Sequence, residues 1–291
     1  MKRRYGCDDV WKELMAVDPN NLAGTAQLTF SDEFDSLRLW NGSTGVWSTT
    51  FWTSDMDGAW ATSNGGTLEG NDELQWYINA NWGPTAAIDP WSVSGGGLSL
   101  TASKAAASLQ PQINGYDYVS GMVNTWHSFV QQYGYFEINA KMPAGQGFWP
   151  AFWLMQQDGD WPPELDVVEF LGSDVDTGHS TLHTMQTGDH TQQSATYGGV
   201  DLTAGFHRYG VNWQADYVTF YFDGREVGRF ATPSDLHEPM YAILNLAVGG
   251  WWPGDPNAST PFPSSFEIDY IRVYGDVGIT YLNGAQGADR I

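Results

Sequence analysis

From Leu28 onward the chain is a succession of short apolar-polar alternations, each closed by Gly, Pro, Asn or Asp. "GLSLTAS", "YGYFEINAKM", "STLHTM", "YVTFYFDGREVGRF" and "SFEIDYIRVY" are the clearest of them. A period of two sends successive side chains to opposite faces of an extended strand, so each run can bury one face. "FDGREV" places Asp223-Gly224 between two such runs, where both residues tolerate the positive φ angles of a tight hairpin turn. No long amphipathic helix pattern follows residue 20. Short strands with frequent turns predict an all-β chain, a two-sheet antiparallel β-sandwich.

Composition narrows the function. A chain of 291 residues with 42% hydrophobic residues can bury a full core. Its net charge of -22 argues against nucleic-acid binding, which rests on neutralising phosphates, and disfavours anionic membranes. No run reaches the ~18 apolar residues of a membrane span. The start "MKRRYGCDDVWKELMAV" has no apolar core of a cleavable signal, so export would use another route or a removed leader. Residues 8–17 carry Asp8 as N-cap with Val10, Leu14 and Val17 at helical spacing, and read as a short helix in an appendage over 1–27. Cys7 is the one cysteine, so no internal disulfide forms, and it reads as a harmless thiol. The 15 Trp are unusual for an ordinary enzyme, and flat aromatic faces suit stacking on sugar rings as well as core packing.

The segment "WPPELDVVEFLG", Trp161 to Gly172, sets three carboxylates among strand-prone residues. On a helix Glu164, Asp166 and Glu169 would scatter to roughly 0°, 200° and 140°. On a regular strand Glu164 and Asp166 share a face, while Glu169 points the other way. A bulge at Val167-Val168, where two residues count as one, returns Glu169 to the first face and leaves Leu165 and Phe170 facing the core. Glu164 and Glu169 are then separated by about 13 Å of strand. Long side chains leaning inward on a concave sheet could close the carboxyl gap to about 5 Å, the separation found in retaining glycosidases. Crowding would also raise at least one pKa, as a general acid needs. A solvated acidic strand is the bland reading of E-x-D-x-x-E. A metal cluster is a third, against which no His lies at ligand spacing within the strand. In "GFWPAFWLM", Phe148, Phe152 and Leu154 share one parity, while Trp149, Ala151 and Trp153 share the other. If the first set is core, two Trp project together from the far face as a stacking platform.

The chain resembles glycoside hydrolase family 16, the laminarinase and lichenase group. The resemblance rests on "SDEFDS" (31–36), "YGYFEINAKMPAGQGFWPAFWLM" (133–155), "ELDVVE" (164–169), "FHRYGVNWQADYVTFYFDG" (206–224), "ILNLAVGGWWPG" (243–254) and "IDYIRVY" (268–274). It covers roughly residues 28–275 and implies a β-jelly-roll with a concave substrate cleft and a retaining mechanism. E-x-D-x-x-E is the form of the family's bulged subgroup. The resemblance makes Glu164 the nucleophile, Glu169 the general acid/base and Asp166 an assisting group. Trp149 and Trp153 match the family's sugar-stacking pair, His183 a substrate-contacting His, and Asn245 and Trp251 cleft residues. It also implies a structural calcium on the convex side, held by Glu33, the Gly70 backbone and Asp269, with no cofactor for catalysis.

The expected activity is endo-cleavage of β-1,3 or mixed β-1,3/1,4 linkages in a glucose-rich polysaccharide by a monomer acting outside a bacterial cell. Depolymerisation of a bacterial exopolysaccharide such as succinoglycan is the alternative within the class. A non-catalytic carbohydrate-binding module is the rival outside it. The tail, 276–291, ends in "GAQGADRI", close to one unit of a calcium-binding nonapeptide repeat, and reads either as the start of such a region or as a Gly-rich end.

Overall fold

A computed structural model describes residues 17–51, 66–158 and 160–276. The expected helix (but for Val17), Cys7 and the repeat-like tail lie outside the described residues. Sixteen strands are present among them. They are β1 (Ala26–Asp32), β2 (Gln75–Tyr77), β3 (Trp91–Ser94), β4 (Gly97–Lys104), β5 (Tyr118–Ser120), β6 (Met122–Asn124), β7 (Gly134–Lys141) and β8 (Phe148–Gln156). The second half holds β9 (Glu164–Phe170), β10 (Thr177–Thr184), β11 (Thr191–Gly198), β12 (His207–Trp213), β13 (Tyr217–Phe222), β14 (Arg225–Ala231), β15 (Met240–Val248) and β16 (Ser264–Asp276). Helical structure among the described residues is one turn at Leu22–Thr25 and two 3-10 turns, Glu69–Asn71 and Gln110–Gln112.

The strands form two sheets. Ten strands run in the order β14-β13-β12-β7-β16-β4-β5-β2, with β1 also on β16 and β3 also on β4. Six run in the order β11-β10-β9-β8-β15-β6. Pairing is antiparallel apart from β2 on β5, which is parallel. The fold is the expected all-β jelly-roll sandwich. Every run singled out by alternation is a strand, and Asp223 and Gly224 make the β13-β14 turn with φ of 49° and 76°.

The main core lies between the sheets. Phe148, Phe152, Leu154, Leu165, Phe170 and Leu244 come from the six-stranded sheet, and Phe136, Ile138, Val211, Phe220, Ile268 and Ile271 from the other. A second apolar layer covers the outer face of the six-stranded sheet, where Ala151, Trp153, Met155, Tyr241 and Ile243 meet Phe51, Leu68, Tyr77, Met122 and Val130. It explains why β8 and β15 are buried along their whole length and do not alternate in exposure. The appendage expected over 1–27 is not separate where it is described. Asn20 Nδ2 donates to Gly224 O at 2.9 Å and Asn212 Nδ2 to Val17 O at 3.2 Å, which ties this segment to β12 and the 223–224 turn.

Candidate active site

The site is built on β9 and depends on a break in its register. Against β8, Glu169 faces Ala151 and Val168 faces Phe152, but the next pair is Asp166 with Trp153. Against β10, Glu169 faces His179 and Asp166 faces Thr181, so Val167 and Val168 together oppose Ser180. This is the bulge expected from parity. Ser180 Oγ donates to the Val167 carbonyl at 2.7 Å and satisfies an oxygen that the bulge takes out of the ladder. Both valines are fully buried, as are Leu165 and Phe170. Burying a Val side chain is worth roughly 1.5–3 kcal/mol, so the core holds the irregularity in place.

With the bulge, Glu164, Asp166 and Glu169 all open onto one cleft of about 460 Å³, together with Trp149, Trp153, Trp161 and Glu73. His183 stands opposite Glu164 on β10, its Nε2 at 3.0 Å from Asp166 Oδ2 and 3.9 Å from Glu164 Oε1. Trp149 Nε1 donates to Glu169 Oε1 at 3.1 Å. Withdrawal from water and the charge of Asp166 push Glu164 and Glu169 well above the ordinary carboxylate range. Burial lifts Asp166 to about 7. Protons taken up near neutral pH therefore belong to the cluster as a whole. Such a group can present one ionised and one protonated carboxyl at the same pH.

The Trp pair differs from its expected role as an open platform. Trp149 and Trp153 are 7% and 5% exposed and form the cleft wall and floor. Trp153 Nε1 donates to Asn245 Oδ1 at 2.7 Å, and Asn245 Nδ2 donates to Tyr77 Oη at 2.9 Å. Asn245 thus lines the cleft with its side chain already engaged. The open indoles are Trp251, 65% exposed, and Trp161, 39% exposed. Trp251 lies edge-on to Trp149 at 6.2 Å and stacks beside Trp252 at 6.1 Å. Trp161 packs 4.9 Å from His190, whose Nε2 meets His183 Nδ1 at 2.9 Å.

Sequence reasoning missed Trp161, His190, Trp252 and Glu73. Trp161 was three residues from Glu164, at the head of "WPPELDVVEFLG". Glu73 is a fourth cleft carboxylate, raised to about 7 by burial although Asn71 Nδ2 and Gln75 Nε2 donate to it at 3.0 and 2.6 Å. Nothing local in "GNDELQWY" marks it, because its surroundings are made by a loop docking onto β15, where Val248 N donates to Gln75 Oε1 at 2.7 Å.

The expected calcium ligands do not come together. Gly70 lies in the 3-10 turn at the cleft rim, whereas Asp269 belongs to β16 and Glu33 directly follows β1, the strand paired with it. Both Glu33 carboxylate oxygens accept from Arg272, at 2.9 and 2.7 Å, which holds that carboxyl below its usual range. Asp269 Oδ2 accepts from Asn139 Nδ2 at 2.9 Å, and the glycine beside Asp269 is Gly97, not Gly70. A guanidinium already neutralises Glu33 where a cation would have to bind, so this donor set does not fit the ion.

Residues 78–272 match the glycosyl hydrolases family 16. The chain belongs to that family. Among family 16 relatives, it is 49% identical over 246 residues to Endo-1,3-1,4-beta-glycanase ExsH of Rhizobium meliloti (strain 1021), covering 84% of this chain and 51% of that one. The chain thus spans about half the length of that relative. It is 30% identical over 286 residues to the Beta-glucanase of Rhodothermus marinus, covering 90% of this chain and 89% of that one. The laminarinase catalytic domain of Thermotoga maritima MSB8 has a similar structure, with a TM-score of 0.68 at 31% identity over 86% of this chain and 98% of that one.

Proposed function

We propose that this family 16 chain is a retaining endo-β-glycanase that cleaves β-1,3 or mixed β-1,3/1,4 linkages of a glucan. The observation that carries the reading is the bulge, which turns Glu169 to the same cleft as Glu164 and Asp166. In this reading the ionised Glu164 attacks the anomeric carbon while protonated Glu169 gives its proton to the departing glycosidic oxygen. Glu169, now ionised, takes a proton from water, which opens the glycosyl-Glu164 ester with overall retention. Asp166 works through Glu164. A proton on Glu164 is held toward Asp166, so charge moves between the two as the ester forms and breaks. The Trp149 N–H bond to Glu169 favours its ionised form and so supports the base half of the cycle. Trp149, Trp153 and Trp161 line one cleft and Trp251 stands edge-on to Trp149, an aromatic surface that suits several sugars of a chain bound across the scissile bond.

The test is digestion of laminarin, lichenan, curdlan and succinoglycan in parallel, with the anomer of the new reducing end followed by NMR. Early internal cuts giving the β-anomer are expected. First appearance of the α-anomer would overturn the roles of both Glu residues, and binding without cleavage of any polymer would leave a sugar-binding module.

A further inference from the structure

Glu164, Asp166 and His183 offer two carboxylate oxygens and one imidazole nitrogen, all within 4.8 Å of one another. We propose that they form a binding site for a transition-metal dication of the Zn²⁺ class.

Two features beyond the cluster itself point that way. Asp166 is 4% exposed, yet its Oδ2 has no hydrogen-bond partner although His183 Nε2 lies 3.0 Å away. The in-plane bonding direction of Nε2 therefore does not point at that oxygen, which leaves both atoms available to a third partner. The other ring nitrogen, Nδ1, is 2.9 Å from His190 Nε2, so His183 can donate there and keep Nε2 free as a ligand. An imidazole whose second nitrogen is fixed by a hydrogen bond is the usual setting of a metal-binding His.

The spacing also fits. Ligands of a tetrahedral Zn²⁺ at 2.0–2.2 Å stand about 3.4 Å apart. His183 Nε2 is 3.0 Å from Asp166 Oδ2 and 3.9 Å from Glu164 Oε1, on either side of that separation, and the three ligand atoms lie within 4.8 Å of one another. The fourth position opens to the cleft. Imidazole with carboxylates selects Zn²⁺ or its neighbours over Ca²⁺, which prefers six or more oxygens. Binding would displace the protons shared by Glu164 and Asp166 and tie up both groups. A filled site and a bound glycan then exclude each other, a consequence that rests on the function proposed above, whereas metal binding itself does not.

The test is calorimetric titration of the folded protein with Zn²⁺ at neutral pH, with Co²⁺ as a spectroscopic probe. One equivalent should bind, and Co²⁺ should give the visible absorption of a four-coordinate nitrogen-oxygen site. His190→Phe, which removes only the acceptor behind His183, should weaken Zn²⁺ by about 10–100-fold. His183→Ala should remove the cobalt spectrum, with circular dichroism checking that it folds. Unchanged Zn²⁺ affinity in folded His183→Ala, or displacement of Zn²⁺ by equimolar Ca²⁺, would overturn the assignment. Because binding is read directly, it stands or falls whether or not the protein cleaves glucan.

Discussion

The indole N–H of Trp149 reaches across from β8 to Glu169 Oε1 at 3.1 Å, so one aromatic ring both walls the cleft and touches the proposed acid/base. Trp149→Phe keeps most of the wall and removes the donor. That donor favours the ionised carboxylate, so its loss moves Glu169 further above its already raised value. The alkaline limb of kcat/KM, set by the acid that must be protonated, should shift to higher pH. The maximum should fall by roughly tenfold, about 1.4 kcal/mol in barrier. A pH profile that merely drops without shifting would show that the bond does not tune Glu169.

Removing either proposed catalytic carboxylate should have distinguishable effects. Glu169→Ala should lose about 10²–10⁴-fold on glucan but much less on an aryl glycoside with a good leaving group. Azide should then rescue it with a product of retained configuration. Glu164→Ala should be inactive on both substrates, with azide giving an inverted product. NMR of the azide products separates the two, and an identical outcome for both would refute the division of roles.

The exposed and the buried Trp should part company. Trp251→Ala removes a side chain that is 65% exposed, so stability should change by about 0.5 kcal/mol or less. KM for long glucans should rise roughly three- to tenfold with kcat little changed, since an aromatic stacking contact is worth about 0.5–1.5 kcal/mol. Trp153→Ala should instead destabilise by about 3–5 kcal/mol, because it empties the second apolar layer and leaves Asn245 Oδ1 without its donor. Denaturant titration and oligosaccharide kinetics on the two variants decide the point.

Stability should fall as pH rises through the range set by the buried carboxylates. Glu73 goes from an ordinary 4.5 to about 7 on folding, so between those values the native state binds more protons than the unfolded chain. Its protonated form stabilises the fold below that window, and the contribution is lost by the time pH passes the upper value. The full span amounts to roughly 3 kcal/mol from this group. Glu73→Gln should therefore flatten the decline in unfolding free energy between pH 5 and pH 8. An unchanged slope would mean that Glu73 is ionised throughout.

The parts of this design legible in sequence are those set by local parity. Alternation marked the strands, and the odd spacing from Glu164 to Glu169 by itself required an extra residue between them if all three carboxylates were to share a face. Asp223-Gly224 announced its turn because so few residue pairs accept two positive φ angles. Features set by distant packing left no such mark. Whether Trp153 stands open or covered depends on Phe51, Leu68, Tyr77 and Tyr241, which arrive from three separate stretches of chain, while Trp149 meets the rings of Trp251 and Trp252. Glu73, Trp161 and His190 join the site through loops whose docking has no period to read. Gly70 illustrates the same limit, since a loosely matched motif assigned to the Asp269 side a glycine that lies at the cleft rim, whereas Gly97 is the one beside Asp269.

The bulge lets the strand change length by one residue either way, with different consequences for the cleft. Deleting Val167 would restore plain alternation, with all three carboxylates still turned to the cleft and one fewer methyl-bearing side chain inside. A third valine inserted there also makes the step from Glu164 to Glu169 even, so a plain strand would keep the trio on one face, but with one valine standing among the carboxylates. A lineage losing one codon here would keep the acid trio and an all-apolar inner face, whereas one gaining a codon would keep the trio but place an apolar side chain in the cleft. The present sequence stands one deletion away from a regular strand with the same chemistry, separated from it by the packing of one valine and the Ser180 bond to its carbonyl.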